Sequence, residues 1–215
     1  MCGRFATYKN VKRLNKIFEL NNKNLNIPPS YNISPGNEVN ILINYEYQNY
    51  YLPTHWGYSF TNNNTEKKQI LINSRIETIN SKLLFKDSFL KRKCIIPSNG
   101  YYEWSNNGSE KKPYFVKLGD GELIYFAGIW RKENHKNDKK RVFSIITKEA
   151  NKTINKIHHR MPITLNTNNA LEYLSDKKNQ LSFDDFEEPD LSFYEVSKYV
   201  NNPKNNDEKC IIPNI

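Results

Sequence analysis

Between Cys94 and Trp130 the chain alternates short aromatic and β-branched runs with residues that reverse a strand. Cys94-Ile-Ile-Pro97 and Tyr101-Tyr-Glu-Trp104 precede an Asn106-Asn-Gly108 turn, and residues 114–118 lead through Gly119-Asp-Gly121 into a run over 122–130. Short Asn-Gly and Asp-Gly turns between such runs predict antiparallel pairing. The same signals recur on both sides. Residues 39–43 and 47–52 read as a hairpin, and Tyr31-Asn-Ile-Ser-Pro-Gly36 reads as an extended stretch closed by a Pro-Gly turn. Strands are also predicted over 71–77, 142–147 and 193–196. Val11, Leu14, Ile17 and Phe18 recur at helical spacing, with Asn10 as a cap, so a short amphipathic helix is expected over 11–20. Further helices are expected over 81–90 and 168–174, a short helical or irregular piece through 157, a polar loop over 61–68 and a basic loop over 132–140. The fold class that follows is α+β: a single domain over 1–215, with a strongly curved, mostly antiparallel sheet forming a pseudo-barrel flanked by short helices.

Its 14 Tyr, 11 Phe and 3 Trp supply the mass for a core in an otherwise polar chain of 215 residues. Lys and Arg number 32 against 23 Asp and Glu, a formal charge of +9, which suits a polyanion such as nucleic acid. Much of that charge lies in runs such as Lys139-Lys140-Arg141, which also suit a solvated loop. Cys2, Cys94 and Cys210 form no CxxC pair, so neither a disulfide framework nor a zinc site is indicated, and a reducing cytoplasm is expected. No run approaches the ~20 apolar residues of a membrane span. No metal, no cofactor and no membrane partner are expected, and a monomer is.

The chemistry begins at Met1-Cys2-Gly3-Arg4. Removal of Met1 would leave Cys2 with an α-amine and a thiol on neighbouring carbons. With reference pKa values of about 8 and about 8.5, both are partly nucleophilic near neutral pH. The thiol can attack an acyl carbon with the amine as base, or the two together can capture an aldehyde as a Schiff base and then a thiazolidine. Asn73, Arg75 and Glu77 alternate along the predicted 71–77 strand and so share a face, either the wet face of an edge strand or part of a site. Glu103 lies among aromatics, where a carboxylate needs a partner or an elevated pKa; it is a structural ion pair or a general acid/base. His158-His159-Arg160 stand at the expected mouth of a strand.

Met1-Cys-Gly-Arg-Phe-Ala6, Tyr31-Asn-Ile-Ser-Pro-Gly36, Trp56-Gly57, Asn73-Ser-Arg-Ile-Glu-Thr78, Cys94-Ile-Ile-Pro-Ser-Asn-Gly-Tyr-Tyr-Glu-Trp104, Phe126-Ala-Gly-Ile-Trp130 and Ile157-His-His-Arg-Met-Pro162 occur in one order. This series resembles the SRAP family, the SOS-response-associated peptidases, over nearly the whole chain. The resemblance implies an abasic-site processing protein that senses abasic sites in single-stranded DNA. Matured Cys2 would form a thiazolidine with the ring-opened aldehyde and shield the lesion from strand cleavage. It further implies that Asn73 positions the cysteine, that Glu103 serves methionine removal and proton transfer, and that His158 protonates the sugar ring oxygen. Arg4, Arg75 and Arg160 would hold flanking phosphates, Trp56 or Trp104 would stack on a base, and Lys86 stands where the family often has another DNA-contacting arginine. A lyase-type crosslinking activity, self-removal of Met1 and a cytoplasmic location, nucleoid-associated in a bacterium, complete the expectation.

The chain also departs from the family pattern. Ser59-Phe60-Thr61-Asn62 replaces the usual proline and tryptophan after Tyr58, Asn99 replaces an aspartate, and His159 stands where an aspartate is usual. Met-Cys-Gly also opens the class II glutamine amidotransferases, so an N-terminal-nucleophile cysteine amidohydrolase is the alternative, distinguished by ammonia release from glutamine. A catalytically silent single-strand-binding protein would bind unchanged as Cys2→Ala.

Overall fold

A computed structural model describes the chain except for residues 1, 10, 23–27, 62–67, 106–109, 136–137, 177–181 and 215. Its strands are, in order, β1 (Arg4–Thr7), β2 (Ser30–Ile33), β3 (Glu38–Tyr45), β4 (Gln48–Trp56), β5 (Tyr58–Thr61), β6 (Lys68–Leu71), β7 (Asn73–Arg75), β8 (Lys93–Ser98), β9 (Gly100–Ser105), β10 (Lys112–Leu118), β11 (Ile124–His135), β12 (Asp138–Glu149), β13 (Arg160–Pro162), β14 (Thr164–Leu165) and β15 (Leu191–Glu195). The α-helices are short: α1 (Leu14–Ile17), α2 (Ile76–Ile79), α3 (Leu83–Lys91) and α4 (Thr167–Ser175).

Strands β12, β4, β3, β8 and β11 pair in turn, and β11 pairs back onto β12, which closes a barrel. Only β4 and β7 run parallel to β12; the other paired strands are antiparallel. Closure leaves these strands no free edge. A second sheet, ordered β15-β10-β9-β1-β2, lies beside the barrel. Strand alternation divides the core accordingly. Ile41, Ile43, Cys94, Ile96, Phe126, Phe143 and Ile145 pack with Cys2, Phe5, Tyr101 and Val116 of the second sheet's side. Leu42, Ile95, Tyr125, Ala127 and Ile146 face the other way, onto Leu14, Phe85, Ala170, Tyr173 and Leu174 of the helices. The α+β class and the curved, barrel-like sheet are therefore as expected.

Several local expectations change. The predicted 11–20 helix is a 3-10 turn (Val11–Arg13) followed by the single turn of α1, and its Asn10 cap lies outside the described residues. The Asn106–Gly108 turn also lies outside them, although β9 and β10 pair antiparallel on either side of it. Gly119-Asp-Gly121 is a turn, with Gly121 at φ +72° and its N–H on the Leu118 carbonyl. That turn does not close a hairpin: β10 belongs to the second sheet and β11 to the barrel, so the chain crosses between layers there. Of the expected basic loop over 132–140, residues 136–137 lie outside the described residues and the rest is strand, β11 paired with β12 with Lys132 opposite Arg141 and Glu133 opposite Lys140. These strands outrun the core, so their ends lose apolar alternation while keeping the ladder. The 71–77 strand breaks as well: β7 holds Asn73 and Arg75, but Glu77 lies in α2 and does not share their face.

Candidate active site at Cys2

Cys2 stands two residues before β1 and is fully buried. β1 pairs with β9 through Arg4↔Tyr102 and Phe5↔Tyr101, so the next residue of β9, Glu103, is carried alongside the start of the chain. Glu103 is only 4% exposed. Period-two alternation puts it on the same face as Tyr101, which packs in the cluster that contains Cys2. On its other side β9 is drawn tight against β10 at Gly100. Its φ is +156°, and a β-carbon there would stand 2.4 Å from the Val116 carbonyl oxygen on β10.

The barrel supplies the opposite wall. β7 pairs with β12 through Ile145↔Asn73, and the Asn73 Nδ2 donates to the Cys2 carbonyl oxygen at 2.9 Å. The other end of that amide, Oδ1, is buried without a hydrogen-bond partner among the described residues. β13 pairs onto β12 with Glu149↔Arg160, which holds the preceding turn and its His158 over the same spot. His158 Nε2 lies 3.9 Å from Glu103 Oε1. His158 Nδ1 stands against the Arg160 backbone, 2.9 Å from its N–H and 3.2 Å from its carbonyl oxygen; the shorter contact has Nδ1 accepting, which in a neutral ring leaves the proton on Nε2, facing Glu103.

Burial sets the charge states. It pushes the Cys2 thiol far above its usual range, with the Glu103 carboxylate adding to the effect. Burial also raises Glu103 above the ordinary carboxylate value. His158 is lowered to about 4, again chiefly by burial. At neutral pH the pocket therefore holds a protonated thiol, a neutral imidazole and a carboxyl group with enhanced proton affinity. These groups suit proton shuttling around a nucleophile. Tyr101 is buried beside them, its hydroxyl without a hydrogen-bond partner among the described residues.

The structure thus brings Cys2, Asn73, Glu103 and His158 together from distant parts of the chain. The expected DNA-contacting residues are scattered. Arg75 ends β7, exposed, and lines an open cleft of about 470 Å3 with Glu149, Asn155, His159 and Arg160. His159 stacks on His158 with ring centroids 4.4 Å apart. Arg4 donates to Asn32 Oδ1 at 2.7 Å and to the Val200 carbonyl at 3.1 Å, and its guanidinium lies 5.9 Å over the Trp104 ring. Trp104 is half-buried, with Nε1 on Asn201 Oδ1. Lys86 is exposed on α3, which packs on α2, β8 and β11.

Trp56, expected as a stacking platform, offers no face to a base: it is 0% exposed, edge-on to Phe5 and stacked on Phe143, with Nε1 on the Ile72 carbonyl. Arg160 is likewise committed. Its side chain is 8% exposed and forks onto both Glu77 carboxylate oxygens at 2.6 and 3.0 Å, with Nη2 also on the Thr147 carbonyl. In the sequence Glu77 stands only as one of a polar row. Nothing local names its partner 83 residues away. Among the described residues no group of three or more His, Cys, Asp or Glu converges to hold a metal, and no helix is long and apolar enough to cross a membrane.

A solved structure from Bacteroides thetaiotaomicron superposes with a TM-score of 0.82, covering all of both chains at 21% identity, which establishes the shared fold. The abasic site processing protein YoqW of Bacillus subtilis is 32% identical, over 98% of this chain and 99% of its own length. The abasic site processing protein YedK of Escherichia coli is 28% identical, over 99% and 100%. The family model described as SOS response associated peptidase matches residues 1–203, a span that takes in Cys2, Asn73, Glu103 and His158 and the strands that gather them. By that match and by its near full-length relatives, the chain belongs to the SRAP family.

Proposed function

We propose that this protein processes abasic sites in single-stranded DNA by capturing the lesion's aldehyde on Cys2. The observation that carries the reading is the convergence of Asn73, Glu103 and His158 on a buried cysteine one residue from the amino terminus. A buried thiol in a neutral pocket is a poor stand-alone nucleophile. It becomes useful when its own α-amine supplies the first attack.

The reaction begins with hydrolysis of the Met1–Cys2 peptide bond: Glu103 takes a proton from the attacking water and passes it to the departing Cys2 nitrogen, and methionine leaves with its new carboxylate. Cys2 now carries the α-amine. The abasic sugar is mainly a closed hemiacetal, and opening it requires a proton on the ring oxygen. The Glu103 and His158 pair is suited to deliver one, because Glu103 holds its proton more tightly than a solvated carboxyl and faces the His158 Nε2–H. The amine then adds to the aldehyde carbon, and loss of water gives a Schiff base. Sγ adds to the same carbon while its proton passes to nitrogen, closing a thiazolidine. The net change is loss of one water. The carbonyl that would otherwise promote strand scission by β-elimination is consumed. Asn73 holds the Cys2 carbonyl and so fixes the backbone from which both nucleophiles project.

DNA would be gripped mainly through its phosphates, since a lost base leaves no edge to read. Arg75 on its open cleft is the best-placed cation, the Arg4 and Trp104 pair a second contact, and the net charge of +9 supplies steering.

Intact-mass spectrometry tests the reading. The purified protein should lack Met1 and gain one oligonucleotide minus water on incubation with a single-stranded oligonucleotide bearing one abasic site. Cys2→Ser should give no stable adduct. An equally stable adduct with Cys2→Ser would refute the mechanism, and ammonia release from glutamine without any adduct would favour an amidohydrolase instead.

A further inference from the structure

Because His158 must point its proton at Glu103, whatever fixes its ring acts on the chemistry. Its Nδ1 meets only the backbone of Arg160 among the described residues, accepting from the N–H at 2.9 Å with the carbonyl farther off at 3.2 Å, and the His158 backbone N–H bonds the Ile154 carbonyl at 2.9 Å. The ring is therefore only as well placed as the backbone at Arg160. That backbone is held from the side-chain end. The guanidinium is clamped on both oxygens of Glu77 and on the Thr147 carbonyl of β12. Glu77 lies in α2, which directly follows the strand that carries Asn73. One ion pair thus ties the Asn73 segment to the His158 turn.

We infer that Glu77 is a positioning residue for His158, acting through Arg160, and that Arg160 serves this clamp rather than a DNA phosphate. A phosphate would have to displace a bidentate carboxylate from a guanidinium whose side chain is 8% exposed, whereas exposed Arg75 on the same cleft is open to one. Removing the carboxylate would leave a buried cation without its counter-charge. The turn at 158–160 would then lose its anchor, and with it the N–H that keeps Nδ1 an acceptor. The Nε2 proton would no longer be held toward Glu103. The kinetic half of this inference rests on the Cys2 reading above; the structural half does not.

The experiment has two arms so that the two readings fail separately. In the first, two-bond 1H–15N spectra of the full chain report the His158 tautomer, assigned by its absence in His158→Asn. Wild type should show the Nε2–H form and Glu77→Gln a mixture with the Nδ1–H form. A wild-type Nδ1–H ring, or an unchanged tautomer in Glu77→Gln, overturns the inference whatever the protein does to DNA. In the second arm, Glu77→Gln should slow single-turnover crosslinking by about tenfold, part of the roughly 10²–10⁴ that a positioned proton donor contributes. Its Kd for an oligonucleotide carrying a tetrahydrofuran abasic analogue, which has no aldehyde, should change by less than about twofold, with an unchanged salt slope. Affinity falling in step with rate, with a salt slope lower by about one, would return Arg160 to the phosphates and overturn the inference. Glu77→Asp, which keeps the charge on a shorter stem, should recover part of the rate. If Glu77→Gln does not fold, Arg160→Lys keeps the charge but loses the fork and should scramble the same tautomer; a wild-type tautomer there overturns the inference. A wild-type protein that forms no adduct sinks the aldehyde-capture reading and leaves the spectra to decide the clamp.

Discussion

Replacing Trp56 with phenylalanine separates a core role from a nucleic-acid role for this ring. The indole is sealed between Phe5, whose ring centroid is 5.0 Å away, and Phe143 at 6.2 Å, and Nε1 donates to the Ile72 carbonyl at 3.0 Å. Phenylalanine removes that hydrogen bond, while the Ile72 carbonyl keeps the Ile145 N–H at 3.0 Å, so the loss is the net worth of one bond, about 1 kcal/mol. The smaller ring also forfeits about 1–2 kcal/mol of burial and packing. The sum, about 2–3 kcal/mol, corresponds in a chain this long to a Tm lowered by roughly 4–12 °C. Affinity for a single-stranded oligonucleotide should hold, because no face of the ring reaches solvent. Thermal unfolding and a binding titration on the same preparation read both quantities. A Tm within about 2 °C of wild type would refute this account. So would a Kd weakened about tenfold in a normally stable variant, since the loss of a stacked base is worth about 1–3 kcal/mol.

Other substitutions read other parts of the fold. His158 has its folded-state pKa lowered to about 4, so between that value and its ordinary 6.5 the unfolded chain binds the proton more readily, and stability falls as pH drops through this window. His158→Asn should flatten that fall in urea midpoints measured from pH 7 to pH 4, and an identical slope in the variant would show that the ring is not desolvated. Glu103 is raised, so its contribution has the opposite sign: stability is greatest at low pH and declines as the pH climbs from the unfolded carboxyl range through the folded pKa. Glu103→Gln should therefore hold its urea midpoint better than wild type between pH 5 and pH 8, and a wild-type decline in the variant would mean that another group is responsible. Lys93 and Asp176 form an ion pair at 2.6 Å with both side chains only 7% exposed. Asp176→Ala alone should cost about 3–5 kcal/mol and the double variant with Lys93→Met less, because a lone buried cation is worse than none; additive losses in the double-mutant cycle would contradict this. Gly100→Ala forces a β-carbon to 2.4 Å from the Val116 oxygen and should cost about 3 kcal/mol or more, read as a lowered urea midpoint. A near-neutral result would mean that β9 can shift without disturbing Glu103.

What the sequence makes legible here is chemistry and strand content; what it hides is pairing. Glu103 inside an aromatic run declares its burial because that signal is local, and the two residues Met1-Cys2 are enough to raise the aminothiol reading proposed above. Trp56 carries no such signal. An indole before a glycine suits a stacking platform as well as a core, and only the closure of β4 onto β12 places it inside. The polar row at 73–77 fails for a different reason. Three residues of strand and one turn of helix are too few for either periodicity to show, so alternation predicts one face where the chain makes two. That break matters because it sends Asn73 toward Cys2 and Glu77 toward Arg160, two tasks that a continuous strand would have forced onto one side. The site also lies where the two sheets meet, and no single element could have built it. β9 brings Glu103 from the second sheet, while β7 and β13, both paired to β12, bring Asn73 and His158 from the barrel. The pairing of β1 with β9 fixes the backbone after Cys2, and the amide of Asn73 fixes its carbonyl, so a residue that lies in no strand or helix is held fully buried between the two sheets.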